Sequence, residues 1–384
     1  MLQYAQALYL TIVEKRPKGN RSAPFSSHLF APHRFNTEFS IGVDNNERKH
    51  LFLNNQEIKD LGGEDMQAVL HDCQRAYVLM EEGDVLAPTK CVMRWGKTPE
   101  DENVLGRINA MPGYIGGEYN MAGIKWIGSG PMNYKKGLPR ASVLDILNDP
   151  DTKLPLCIAD GTMISAKRTG AAGGTAMQLC AREGAEVLTI CGAGAQGKTQ
   201  LEAAMLVRPN LKKLWVYDIV PANAERFVNE AKEKYPQLEI LIADDLEQAI
   251  RESDIIITDT LAEEPFVKAA WIKRGALIVQ MATLEVEYGV VTNADKIVVD
   301  FWDTIKHRMA STIAVMASEG LVKDEDISAS LGEILSGKKT GRDNDDQVIY
   351  FNSVGVGILD LAVTTRCYRE ALKRNVGTWV PYWV

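Results

Sequence analysis

The spacing of apolar residues changes along the chain, and each change marks a different kind of structure. From Glu64 to Met80, Met66, Val69, Leu70, Cys73 and Tyr77 recur every three or four positions, which predicts an amphipathic helix. Between residues 91 and 160 the apolar runs shorten to strand length and are broken by Gly and Pro. There ASVLDIL and LPLCIAD flank the turn signal Asn148-Asp149-Pro150-Asp151 and predict a hairpin in a β-rich stretch. After Arg168 a run of small residues, TGAAGGTAMQLCAREG, predicts a helix, and strands then alternate with helical stretches. EVLTIC, KLWVYD, LEILIA, DIIIT, ALIVQM and KIVVD are the strand candidates, continuous and apolar as strands buried on both faces must be. A last helix, from about Gly357 to Gly377, follows the acidic loop GRDNDD and is placed to return to the first domain.

This pattern predicts an α/β fold class, a Rossmann dinucleotide-binding domain joined to a β-rich α+β substrate domain. The expected division assigns residues 169–345 to the Rossmann domain and 1–168 with 346–384 to the other. Residues 1–45 form an N-terminal arm in this reading, because 15–37 are rich in Pro, Ser and basic residues without periodicity.

Composition narrows the partners. With 384 residues, 46% hydrophobic and 24% charged, the chain has the balance of an ordinary globular protein of two domains. A net charge of −8 argues against sequence-independent nucleic-acid binding, which needs clustered cations, and favours a small molecule. The six cysteines form no C-x-x-C pair and read as buried reduced thiols, with no metal site. The first twenty residues lack the basic n-region of a secretory signal, and no apolar run approaches bilayer length, so a cytoplasmic protein without membrane contact is expected.

The cofactor signal follows EVLTIC directly. Gly192, Gly194 and Gly197 occupy the three positions of G-x-G-x-x-G, with Ala193, Ala195 and Gln196 between them, and KTQLEAAML continues as a helix. The first glycine allows the tight turn, the second lets backbone approach a pyrophosphate, and the third lets helix and strand pack closely. The helix N-terminus adds free N–H groups and a favourable dipole. Asp218, twenty-one residues after Gly197 at the end of the second strand, can accept hydrogen bonds from ribose hydroxyls and would repel a 2′-phosphate. NAD is therefore favoured over NADP. Thr258 and Thr260, at the end of DIIIT, are either hydroxyls near the cofactor or ordinary strand-end threonines.

A nicotinamide enzyme also needs a substrate clamp and a proton handler. Arg94, Arg107, Lys125 in AGIKWIGSG and Arg168 are the candidates, all ahead of the glycine turn. Arginine presents a planar fork to a carboxylate, and a desolvated lysine can exchange protons near working pH. Taken singly, a surface ion pair is the default reading of each.

Several segments in order resemble the ornithine cyclodeaminase and mu-crystallin family: a strand-borne Arg94, the INAMPG turn, GIKWIGS, the junction Asp160 to Ala171, G-A-G-A-Q, and GRDNDDQVIYFNSVGVGILDLA. The resemblance runs from about Leu51 to Gly377. It implies that Arg94 and Arg168 hold the substrate carboxylate, that Lys125 sits beside the reacting carbon, and that Thr169 and the loop through Gln196 contact the dinucleotide. It also implies a homodimer joined through the β-rich domain, for which the apolar end TWVPYWV is suited. One departure bears on the reaction. Cyclodeaminases of the family carry an aspartate just after the strand that here reads ALIVQM, whereas this chain has Gln280-Met281-Ala282-Thr283-Leu284 before Glu285. Glu285 or Glu287 replaces it by a shifted register, or the segment is a solvated loop. RINAMPGYIGGE, RASVLDILNDPDTKLP and NADKIVVDFW resemble a branch that also lacks this aspartate and oxidises the Cα–N bond of N-carboxyalkyl amino acids.

The expected activity is thus an NAD-dependent oxidation of a CH–NH bond, the imine being hydrolysed to a 2-oxo acid and an amine. Arg107 is placed at a second carboxylate. The rival readings are an ornithine cyclodeaminase releasing proline and ammonia, an amino-acid dehydrogenase or ketimine reductase, and a dinucleotide-dependent small-ligand binding protein.

Overall fold

The computed structural model describes residues 48–97, 106–308 and 310–383. The N-terminal arm expected over residues 1–45 lies outside them. The strands, in chain order, are β1 (Arg48–Leu53), β2 (Val85–Leu86), β3 (Cys91–Met93), β4 (Arg107–Ile115), β5 (Met121–Ser129), β6 (Ala141–Asn148) and β7 (Pro155–Asp160). They continue as β8 (Val187–Cys191), β9 (Lys213–Tyr217), β10 (Glu239–Ile242), β11 (Ile255–Thr258) and β12 (Leu277–Gln280), then β13 (Lys296–Val299), β14 (Ala329–Ser330), β15 (Ile349–Asn352) and β16 (Thr378–Trp383).

Two sheets result. The first is mixed and runs β16-β1-β7-β6-β5-β4-β2, with β3 also on β4. The second is wholly parallel and runs β10-β9-β8-β11-β12-β15-β13-β14. Its order reverses between β8 and β11, the topological switch point where ligands of such sheets bind. All six predicted Rossmann strands are present, and β6 and β7 form the expected antiparallel hairpin.

Three expectations change. INAMPG is not a turn but the body of β4. Its Pro112 falls between the residues paired with β3 (Ile108, Asn109, Ala110) and those paired with β2 (Tyr114, Ile115), where no neighbour on that edge needs its missing N–H. Arg168 and Thr169 do not mark a helix start, because the helix runs Thr162–Cys180 and carries both in its second turn. Asp160 starts it by accepting the Thr162 amide at 3.0 Å. β15 pairs between β12 and β13, so residues 349–352 belong to the parallel sheet although the sequence division placed them with the substrate domain.

The helix Gly357–Arg374 then crosses to the first sheet and lies on β4, β5 and β6. Five of the six cysteines are buried and free as expected, whereas Cys91 is exposed on β3. None of the helices among the described residues is long and apolar enough to cross a membrane.

Candidate active site

Alternation along the first sheet decides which side chains meet. Lys125 on β5 stands opposite Met111 on β4 and Asp145 on β6, so these three share a face. The helix Gly357–Arg374 covers that face and brings in Asp360, while the helix Thr162–Cys180 brings in Ser165 and Arg168. Lys125 is fully buried and its Nζ donates to Asp360 Oδ1 at 2.5 Å and to Ser165 Oγ at 2.7 Å. Arg168 Nε lies 3.0 Å from the other Asp360 oxygen, Oδ2. One carboxylate thus holds two cations, an arrangement that survives burial only because each charge has a partner. Burial and the Arg168 guanidinium lower the Lys125 ammonium to about 8, against the pull of Asp360. Asp145 is equally buried. Its Oδ2 accepts from Thr364 at 2.8 Å and its Oδ1 has no hydrogen-bond partner among the described residues, and burial together with Asp360 raises its carboxyl to about 7.

A second group of cations adjoins the first. Lys90 Nζ and Arg308 Nη1 both donate to the Val354 carbonyl, at 3.4 and 2.7 Å. Asp300 shapes that loop, accepting from Ser353 Oγ at 2.6 Å, the Gly355 amide at 3.0 Å and the Phe301 amide at 2.7 Å. Burial first, then Arg308, Arg168 and Lys125, lower Lys90 to about 6. Burial and Arg107 lower Arg308 to about 10, and burial, Arg94 and Arg140 lower Arg107. Of the cations proposed from sequence, Lys125 and Arg168 meet on the two oxygens of Asp360, Arg107 is half-buried on β4, and Arg94 is exposed beside it.

The glycine turn connects β8 to the helix Ala195–Val207. Gly192 has φ +114°, and a Cβ there would stand 2.3 Å from the Asp259 carbonyl oxygen; one on Gly197 would stand 2.2 Å from the Gly192 carbonyl oxygen. Gly194 differs, since a Cβ would meet nothing within 4 Å. Space therefore opens over the second glycine, at a helix start with no side-chain cap, which is the cradle a pyrophosphate requires. Asp218 sits beneath the turn, Oδ2 accepting from the Ala193 amide and Oδ1 from the Val220 amide, both at 2.9 Å. Each oxygen keeps acceptor capacity for a ribose hydroxyl. Lys212 and Lys213 are at the far end of β9, paired with Glu186 at 2.5 Å and Glu252 at 2.8 Å. The two sites are joined by a single helix. Thr169, one turn beyond Ser165, has its carbonyl bonded by Gln200 of the Ala195–Val207 helix at 3.1 Å, and its own hydroxyl donates to Ser165 O at 2.8 Å. Ala195 and Gln196 form the first turn of that helix, and the Gln196 carbonyl accepts from Thr199 Oγ1 at 2.8 Å.

Glu285 answers the question raised by the missing aspartate. It is fully buried and accepts from Thr258 Oγ1 at 2.8 Å, from the Thr260 amide at 2.5 Å and from Thr260 Oγ1 at 2.8 Å. Its carboxylate buttresses the end of β11, and the two threonine hydroxyl protons point to it. Glu287 accepts the Ala269 amide at 2.9 Å. Gln280, where the acid-bearing loop would begin, donates to Thr283 O at 2.7 Å and Thr312 Oγ1 at 3.0 Å.

The sequence reading missed Lys90, Asp145, Asp360, Asp300 and Arg308. Asp145 in SVLDIL and Asp360 in GILDLAV were detectable, each being a lone acid inside an apolar run and so in need of a buried partner. Lys90 and Arg308 carry no such pattern.

A parallel sheet with this strand order, a glycine turn at its switch point and a buried Lys125–Asp360–Arg168 cluster against an adjoining mixed sheet define a Rossmann-type protein with a second domain. The chain belongs to the ornithine cyclodeaminase/mu-crystallin family, whose profile matches residues 49–375. It is 32% identical over 332 residues to the N-((2S)-2-amino-2-carboxyethyl)-L-glutamate dehydrogenase of Staphylococcus aureus, covering 86% of this chain and 98% of that one. Among solved structures, an archaeal alanine dehydrogenase dimer with bound NAD superposes with a TM-score of 0.79 at 32% identity, covering 88% of this chain and all (100%) of that one. The Thermococcus litoralis Delta(1)-pyrroline-2-carboxylate reductase in complex with NADH and L-proline gives 0.78 at 35% identity, covering 86% and 100%.

Proposed function

We propose that this protein is an NAD-dependent oxidoreductase that oxidises the CH–NH bond of an amino acid or N-carboxyalkyl amino acid to an imine, which water splits into a 2-oxo acid and an amine. The observation that carries this reading is the shared helix Thr162–Cys180, which places Ser165 and Arg168 on the buried Lys125–Asp360 pair and Thr169 against the helix of the glycine turn. The S. aureus relative and both structural neighbours bear the names of a dehydrogenase or reductase of small amino-acid-type compounds. When bound, NAD accepts the hydride from the substrate α-carbon.

The chain supplies position and proton handling. Arg168 and Lys90 hold the substrate carboxylate, which neutralises the cation excess around Val354 and fixes the α-carbon for transfer. Arg94 stands at the exposed rim beside Arg107. Lys125, poised near working pH by burial, exchanges the amine proton through Asp360 and Ser165 and stabilises the water adduct of the imine. Gly192, Gly194, Ala195, Gln196, Gly197, Asp218 and Thr169 surround the dinucleotide in this reading, with Thr258 and Thr260 held in place by Glu285. Cyclodeamination is disfavoured, since the acids that follow β12 are engaged with backbone and threonines.

We further propose a cytoplasmic homodimer. The face of the first sheet opposite Lys125 exposes Phe52, Met93, Trp126 and Leu144, at 38%, 39%, 38% and 41%, which is apolar surface suited to a second copy. Replacing Lys125 with Met tests the chemistry, because the side-chain volume is kept and Arg168 still balances Asp360. Turnover is expected to vanish while NAD affinity, read by fluorescence titration, stays within about twofold; a variant with wild-type turnover removes Lys125 from the mechanism.

A further inference from the structure

Asp145 is the buried acid that the proposed reaction leaves without a task. It stands on β6 between Lys125 on β5 and Ala159 on β7, on the covered face of the first sheet. The fold is shaped to hold it. Thr364, one turn beyond Asp360 on the helix Gly357–Arg374, donates to its Oδ2 at 2.8 Å, and a Cβ on Gly161 would stand 2.5 Å from that same oxygen. Its Oδ1 meets no hydrogen-bond donor among the described residues. A carboxylate deprived of solvent and given one hydrogen bond is strongly disfavoured, whereas a neutral carboxyl is far less so. Asparagine would fill the same volume and accept from Thr364 without that penalty. What asparagine cannot do is hold and release a proton.

The surrounding charges identify whose proton it is. Lys125 faces Asp145 from β5, Asp360 from the covering helix and Arg168 from the helix Thr162–Cys180. The thiols of Cys157 on β7 and Cys367 on the covering helix also face it, and burial pushes both up, so they stay uncharged. Burial first, then Asp360, raise Asp145 to about 7 against the pull of Lys125, while Lys125 is lowered to about 8. Arg168 is permanently charged and Asp360 balances it. The cluster is then neutral in two forms, Lys125 ammonium with Asp145 carboxylate, or Lys125 amine with Asp145 carboxyl. Passing between them breaks one N–H bond on Nζ, forms one O–H bond on Asp145 and adds no net charge to the core. With an uncharged residue at 145 only the amine form would be neutral.

We infer that Asp145 is the proton partner of Lys125, a positioning residue that lets one buried lysine serve in turn as base and as acid. This rests on the functional reading above, in which Lys125 takes a proton from the substrate nitrogen. With Asp145 as its partner, the same lysine can return a proton to the amine that leaves.

The test reads the proton itself. Infrared difference spectra of the full chain between about pH 5.5 and about pH 9 are expected to contain the carbonyl stretch of a neutral buried carboxyl that fades as pH rises, and Asp145→Asn should remove one carboxyl's intensity from it. In Lys125→Met the neighbouring cation is gone, so that component should persist to higher pH, its midpoint rising by about one unit or more. Absence of the band, a band undiminished in Asp145→Asn, or a midpoint unmoved in Lys125→Met overturns the pairing. Should Asp145→Asn fail to fold, the wild type and Lys125→Met decide it. Turnover adds a readout that packing alone would not move. The limb of kcat/KM that rises with pH should shift to lower pH in Asp145→Asn, because the anion favouring the ammonium is lost; a limb that stays in place overturns the role in catalysis. If no substrate yields NADH, the infrared result still decides the pairing, and the oxidoreductase reading is what falls.

Discussion

Lys90 is a lysine placed where its charge is unwelcome until a ligand arrives. Burial and the neighbouring Arg308, Arg168 and Lys125 hold it near 6, against the pull of Asp300. In the free protein near pH 7 it is therefore mostly neutral. A carboxylate bound at Arg168 favours the ammonium, so its affinity for protons must rise on binding. The sign follows by linkage: binding takes up to one proton, and the ligand binds more weakly as pH climbs above about 6 towards the value in the complex. Calorimetry near pH 7 in buffers of different ionisation enthalpy measures this directly. Uptake of a substantial fraction of a proton is expected, and uptake that persists undiminished in Lys90→Met assigns the proton to another group. The same paired logic governs Asp360, which binds Lys125 and Arg168 at once and leaves neither charge alone.

Among the elements, the turn from β8 into the Ala195–Val207 helix has little freedom. A methyl at Gly197 would be driven to 2.2 Å from a backbone oxygen, which cannot rotate away. Gly197→Ala should weaken NAD binding more than tenfold and cost about 1–3 kcal/mol, read by NADH fluorescence titration and urea unfolding. Unchanged binding would show that the turn is not the cradle. This element was legible from sequence because its chemistry is local: an apolar strand, three glycines, a helix and an acid at fixed spacing. The helix Thr162–Cys180 was legible only in its second half, since Gly161 offers no side-chain cap and the start is set by Asp160. β4 was obscured by Pro112, which marks a turn in most contexts and is tolerated here by the gap between β2 and β3. Long-range meetings were the least visible. Lys125 and Asp360 lie 235 residues apart, and Lys90 and Val354 lie 264 apart, so no spacing rule could join them.

For the whole molecule, the exposed apolar face of the first sheet predicts that association and catalysis use opposite sides of the same strands. Trp126 and Lys125 are neighbours on β5, one 38% exposed outward and the other fully buried inward. Trp126→Lys should weaken self-association by about 2 kcal/mol or more, seen as loss of the dimer mass in light scattering at micromolar protein. A dimer of unaltered strength would place the interface elsewhere. The reaction itself is tested most directly by incubating the protein with NAD and a panel of amino acids and N-carboxyalkyl amino acids while absorbance at 340 nm and products are followed together. One NADH per 2-oxo acid released, with the free amine as the second product, is the expected result. Proline and ammonia from ornithine with no net NADH would contradict it in favour of a hydride that is returned, and binding without any turnover would contradict catalysis altogether.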